Sequence, residues 1–216
     1  MSPADLLGFR AMTAPAALHT PTAAPEAARL PELVRDASHS DDALAALSAG
    51  NRDLRIERTA QGALIIMPPT GARTGNRNSR LTTALTNWAD TDGTGLTFDS
   101  SAGFRLPNGA VRSADAAWVL NRRWEALTAD QQSKFAPLCP DFVLELLSPT
   151  DALDEVKAKL AEFISNGAQL GWIIDPLERS VHVYRPGAAP VELRGGTAVD
   201  GDPVLPGFVL DLTSLW

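Results

Sequence analysis

One cysteine among 216 residues rules out an intrachain disulfide. The lone thiol, Cys139, is expected to be buried and inert, in a protein suited to a reducing, cytoplasmic setting. Histidine is scarce, and His19, His39 and His182 share no metal-ligand spacing. No Cys-x-x-Cys pair, glycine-rich phosphate loop or Gly-x-Ser-x-Gly elbow is present, and Ser113 and Ser148 have no evident histidine partner. Long apolar runs are missing too: Ala63 to Met67 and Trp172 to Ile174 are far too short to cross a bilayer. A basic start followed by an apolar stretch is absent, so no secretory signal is expected.

Positive charge is also in deficit. The formal net charge of −7 weighs against a nucleic-acid partner, since phosphate binding draws on basic surface. The distribution softens that objection. Residues 141 to 178 hold eight acids against Lys157 and Lys159, whereas residues 61 to 140 hold eight bases against six acids. Arg73, Arg77 and Arg80 lie in a stretch without acids from Gly71 to Trp88, and a solvated helix face accounts for them as well as phosphate contact does.

What is present is ordinary globular material, 44% apolar and 21% charged, enough for one domain with a substantial core. Residues 1 to 38 read as a flexible, Ala/Pro-rich arm, with Pro3, Pro15, Pro21, Pro25 and Pro31 breaking any helix. A domain over 39 to 216 follows. Ser40 is placed to cap the helix DDALAALSAG, and LRIER and GALIIM form a hairpin around Thr59 to Gly62. Leu81, Ala84, Leu85 and Trp88 recur at helical spacing, and TDGTG ends their helix. LTFDS and AGFRL are strands, and Asn108-Gly109 turns the chain into VRSADAAWVL, read as one strand. NRRWEALTADQQ reads as a surface helix and PDFVLELLS as a strand. Thr150 and Asp151 are expected to cap a helix running to Asn166, closed by Gly167. LGWIID and SVHVYR then flank a turn shaped by Asp175, and VELR and PGFVLDLTSLW finish the chain. The order predicts an α/β fold with an antiparallel front half and a strand–helix–strand crossover over 141 to 175. The scattered tryptophans Trp88, Trp118, Trp124, Trp172 and Trp216 read as core packing.

Two acids stand out by their surroundings. Asp115 lies in SADAAWV and Glu145 in FVLELL, both among small or apolar residues. Burying an ionised carboxylate costs several kcal/mol unless a partner or metal compensates it. A shared cation would account for both, and magnesium suits a few carboxylates, a carbonyl and retained waters. The alternative is two unrelated acids on solvated strand faces. Lys157 and Lys159 are the only lysines after Lys134, on opposite flanks of an apolar helical stripe, and periodicity does not choose between them. An ordinary helix ion pair, with Glu155 or Glu162 beside Lys159, fits the same residues.

The succession LRIER, GALIIMPPTG, GNRNSRL, TFDSSAGFRLPNGAVRSADAAWV, CPDFVLELLSPTD, KLAEFISNGAQLGWIIDP and VLPGFVLDL resembles the Uma-type restriction endonuclease family, part of the PD-(D/E)XK superfamily. The resemblance spans roughly residues 40 to 216. It implies a restriction-endonuclease-like α/β core, a central mixed β-sheet flanked by helices. It further implies a magnesium-dependent endonuclease (manganese substituting) that hydrolyses phosphodiester bonds in DNA. The family's acids fall on Asp115, preceded by Ala114 where proline is usual, and on Glu145. The superfamily's lysine position is Leu147 here, and the match to KLAEF puts the lysine at Lys159, with Lys157 in reserve. The backbone carbonyl of Leu146 follows as a metal ligand, and Glu57 matches an early acid that is either accessory to the cluster or on a strand surface. Asn76 and Asn78 stand where many members carry a histidine. Arg73, Arg77, Arg80 and Arg105 are nominated for phosphate contacts, and a homodimer follows by analogy with the superfamily. The competing reading is a catalytically silent nuclease-fold module that binds nucleic acid or a protein partner. A third is phosphodiester hydrolysis on RNA or a small molecule.

Overall fold

A computed structural model of the protein describes residues 37–216. The arm expected over residues 1 to 38 therefore lies outside the described residues, except for its last two. Of these, Ala37 is buried and its carbonyl accepts from Arg58 Nη1 at 3.3 Å.

Helix α1 (Asp41–Gly50) starts where the sequence places it, with the Ser40 hydroxyl accepting the Ala43 amide. Its buried Leu44 and Leu47 meet Ile56 and Val111 in a small core of their own. That core underlies a four-stranded sheet ordered β2-β1-β5-β4, built from β1 (Arg55–Arg58), β2 (Leu64–Met67), β4 (Phe104–Arg105) and β5 (Val111–Arg112). The LRIER and GALIIM hairpin and the Asn108-Gly109 hairpin are both in it, all antiparallel.

The second sheet has six strands in the order β10-β9-β8-β7-β6-β3. They are β3 (Gly95–Asp99), β6 (Ala116–Leu120), β7 (Phe142–Leu146), β8 (Leu170–Asp175), β9 (Ser180–Tyr184) and β10 (Val191–Arg194). Only β7 and β8 pair in parallel, joined by the crossover helix α5 (Leu153–Ser165). The long helix α2 (Ala72–Asp92) covers one face through Leu81, Leu85 and Ala89, which pack with Trp118, Phe142, Leu144 and Trp172. Leu160 and Phe163 of α5 cover the other face, against Ala117, Val119, Val143 and Ile173. The C-terminal pair β11 (Ala198–Asp200) and β12 (Val209–Asp211) closes the α2 side. This is the mixed α/β architecture expected, a central mixed sheet flanked by helices.

Three local expectations are corrected. VRSADAAWVL is two strands, because the chain leaves the small sheet after Arg112, bends through Ser113 to Asp115 and enters the large sheet at Ala116. NRRWEALTADQQ is two short helices, α3 (Asn121–Trp124) and α4 (Ala129–Gln132). Thr128 restarts the helix with a capping box to Gln131, and Gln132 Nε2 donates to the Trp124 carbonyl at 2.9 Å. Thr150 and Asp151 do not cap α5, whose N-cap is Ala152. Asp151 Oδ2 instead accepts the Ser148 amide at 2.8 Å, and the Thr150 and Ser148 hydroxyls pair at 3.1 Å. Asp175 does shape its turn, accepting the amides of Leu177 and Glu178 at 2.9 and 3.1 Å. Cys139 is buried, and its thiol is pushed up to about 12 by that burial.

Candidate active site

The bend at Ser113 to Asp115 brings the two sheets together at one spot. On β1, Arg55 and Glu57 alternate with Ile56, which faces the small core, so they share the opposite face. On β7, Phe142, Leu144 and Leu146 face α2, while Val143 packs toward α5; Glu145 shares the face of Val143. The register Ala116 to Leu144 sets Asp115 beside Glu145 across the strand pair. Asp115 Oδ2 accepts the Leu146 amide at 2.8 Å, fixing the carboxylate at the end of β7.

Glu57, Asp115 and Glu145 are only 1%, 9% and 5% exposed, so the reading of solvated, unrelated acids fails. Three cations offset them. Lys159 reaches in from α5 and places Nζ 2.8 Å from Glu145 Oε1, 3.2 Å from Glu57 Oε1 and 2.7 Å from the Ser113 carbonyl, to which it donates. Arg55 Nη1 donates to Asp115 Oδ1 at 3.1 Å, with Nε 3.9 Å from Glu57. Arg112 links Glu57 Oε2 at 3.3 Å to Glu162 Oε2 at 2.6 Å. Glu162 thus pairs with Arg112, and the ordinary helix pair proposed for Lys159 does not form.

Burial pushes the Glu145 carboxyl up to about 7, against the pull of Lys159 and with help from Asp115 and Glu57. Burial also acts to raise Glu57, but Lys159, Arg55 and Arg112 outweigh it and hold this carboxyl low. Burial alone would lower the Lys159 ammonium; Glu145 and Glu57 outweigh it and hold the amine above its ordinary value. The 2.8 Å contact of Lys159 Nζ with Glu145 Oε1 is the closer of the ammonium's two carboxylate contacts.

A cleft of about 1580 Å³ opens over Asp115, between the loop Pro68 to Gly71 that leads into α2 and the loop Ser148 to Asp151 that leads into α5. Arg55, Arg73, Thr74, Asn78, Ser113 and Leu146 also line it. Among the described residues, no group of three or more His, Cys, Asp or Glu side chains stands in metal-binding geometry. The reason is visible: Arg55 and Lys159 occupy the space between the acids. The donor set still fits a hard divalent cation. It offers two adjacent carboxylates, Asp115 at the bend and Glu145 near the end of β7.

A family model described as "Putative restriction endonuclease", named Uma2, matches residues 41–213. The chain belongs to the Uma2 family. Its match begins at the first residue of α1 and takes in both sheets, the bend and the cleft. The fold is shared with the crystal structure of a "putative nuclease belonging to DUF820" from Anabaena variabilis. The TM-score is 0.63 at 20% identity, covering 74% of this chain and 88% of that one. No curated protein matches the sequence.

Within this Uma2 chain the nominated residues divide cleanly. Asp115, Glu145, Lys159 and Glu57 converge, and Leu146 borders the same cleft with its amide engaged by Asp115. Lys157 does not join them. It is half-buried on the other flank of α5 near His182, whose imidazole is lowered by burial and then by Lys157. Arg73 lines the cleft, whereas Arg77, Arg80 and Arg105 do not. Arg80 Nε donates to Asn76, and Arg105 pairs with Asp41 at 3.1 Å. Arg55 and Arg112 were not singled out from the sequence. The only signal for Arg55 was its place two residues before Glu57, on the same strand face.

Proposed function

We propose that the protein is a metal-dependent endonuclease that hydrolyses phosphodiester bonds in DNA, using Asp115 and Glu145 to hold the metal and Lys159 beside them. One observation carries this reading. Two buried carboxylates, Asp115 at the wall of an open cleft and Glu145 beside it on β7, stand with a buried ammonium 2.8 Å from Glu145. Family membership and the shared nuclease fold support it.

Magnesium, or manganese in its place, would supply Lewis acidity toward the phosphate and lower the pKa of an attacking water. The chain's own residues do the rest. Asp115, steadied by the Leu146 amide, and Glu145 provide the carboxylate ligands, with the Leu146 carbonyl as a third oxygen donor. Lys159, kept protonated by Glu145 and Glu57, orients water and offsets the negative charge that builds on the phosphate. Glu57 acts as an accessory through Lys159: it is fully buried and contacts the ammonium from the small sheet. Arg73 at the cleft wall is the phosphate contact that survives from the four arginines nominated. Cutting both strands of a duplex calls for two such sites, which a homodimer supplies by symmetry.

Purified protein should nick plasmid or cleave single-stranded DNA at low salt with magnesium or manganese. The activity should vanish with chelator, in Asp115→Ala and in Lys159→Ala. The competing reading, a binding module without turnover, is favoured by the cations already paired with Asp115 and Glu145 and by the net charge of −7. Metal binding without cleavage of DNA or RNA by the wild type would establish that alternative.

A further inference from the structure

The three cations of the cluster are not held alike. Lys159 is 13% exposed, bound by two carboxylates and a carbonyl. Arg112 is 10% exposed, clamped between Glu57 and Glu162, and away from the cleft. Arg55 differs in every respect. Its side chain is 28% exposed and lines the cleft, and its one close carboxylate contact is with Asp115. Nη2 rests on the Met67 sulfur at 3.2 Å, a weak acceptor, and Nε stands 3.9 Å from Glu57.

We propose that Arg55 is an exchangeable counter-ion. It neutralises Asp115 while no divalent cation is bound, gives up that oxygen when one binds, and turns its freed guanidinium to a phosphate of the nucleic acid. This rests on the assignment of Asp115 as a metal-holding carboxylate. Three features support it. Asp115 Oδ1 accepts from Arg55 Nη1 at 3.1 Å, and a monovalent group sitting on that oxygen must compete with any metal. Besides Asp115, the guanidinium leaves only a thioether and a distant carboxylate. Its forked donors match a phosphate's geometry, so the same side chain has a second partner within the cleft. The exchange adds one net positive charge at Asp115, since a divalent ion arrives as a monovalent group withdraws.

Titration calorimetry with manganese alone, on wild type, Arg55→Gln, Arg55→Lys and Asp115→Asn, tests the competition. Arg55→Gln should bind manganese roughly tenfold more tightly than wild type, and Arg55→Lys by an intermediate factor. A short single-stranded oligonucleotide, titrated in calcium at low salt, should bind Arg55→Gln roughly tenfold more weakly. Manganese affinity in Arg55→Gln equal to or below wild type, with binding abolished by Asp115→Asn, would overturn the exchange and leave the metal assignment standing. Manganese binding to neither wild type nor Arg55→Gln would overturn the metal assignment itself. Should Arg55→Gln fail to fold, Arg55→Lys carries the same test: affinity no higher than wild type overturns the exchange.

Discussion

Lys159 Nζ lies 2.8 Å from Glu145 Oε1, although a loop and about two turns of α5 separate the two residues along the chain. Leu147, two residues after Glu145, lies just beyond the end of β7. The positive charge beside Glu145 is delivered from the crossover helix. The helix supplies the cation, and the strand end stays free to border the cleft.

Removing that ammonium should be costly. Lys159→Ala leaves Glu57 and Glu145 buried with less compensation, and unfolding free energy in urea should fall by about 3–5 kcal/mol. Lys157→Ala, on the other flank of the same helix, should stay within about 0.5 kcal/mol of wild type. Equal losses in the two variants would remove Lys159 from its special place.

Stability should respond to pH through Glu145. An acid whose folded pKa is raised stabilises the fold while protonated. The contribution is present below the ordinary value of 4.5 and is lost as pH climbs through about 7. Glu57, held low, works in the opposite sense and only toward acid. Glu145→Gln mimics the protonated acid, so its Tm relative to wild type should rise by a few degrees between about pH 5 and about pH 8. A constant difference across that range would contradict the burial of an ionising group there.

Divalent metal should stabilise the wild type and not Asp115→Asn. The asparagine can still accept the Leu146 amide, so the fold is kept while the charge is lost. At about a hundred times the dissociation constant the metal should contribute roughly 2.7 kcal/mol, visible as a rise in Tm. Equal rises in both proteins would place the metal elsewhere.

Gly95 starts β3 where a methyl group would stand 2.5 Å from the Val119 carbonyl oxygen and press into the Trp118 ring. Neither neighbour can yield cheaply, so Gly95→Ala should lower unfolding free energy by about 1–3 kcal/mol. Gly50, at the end of α1 with open space around it, should tolerate alanine or gain slightly. Urea unfolding of the two variants side by side separates the effects.

Much of this was legible in the residues. Ser40, the Leu81 to Trp88 spacing, Asn108-Gly109 and Asp175 each carry a local signal, and each element formed where that signal pointed. The apolar flanks of Asp115 and Glu145 likewise announced acids that would be buried. What failed to show was set by distant partners. Nothing local ends a strand at Arg112; the break exists because the chain changes sheets there. Arg55 and Asp115 are far apart in sequence, as are Arg112 and Glu57, so pattern alone could not pair them. Thr150 and Asp151 looked like helix caps because their side chains can accept amides, and Asp151 used that capacity inside its own loop.

The bend from Ser113 to Asp115 has a consequence for how the molecule assembles. Arg55, Glu57 and Arg112 precede it, and Glu145, Lys159 and Glu162 follow it, so neither half of the polypeptide balances its own buried charge. The cluster is complete only once both sheets have docked, and their docking then locks each against the other. The proposed site and the cooperativity of folding therefore share one set of side chains, and a partly folded chain cannot assemble that cluster.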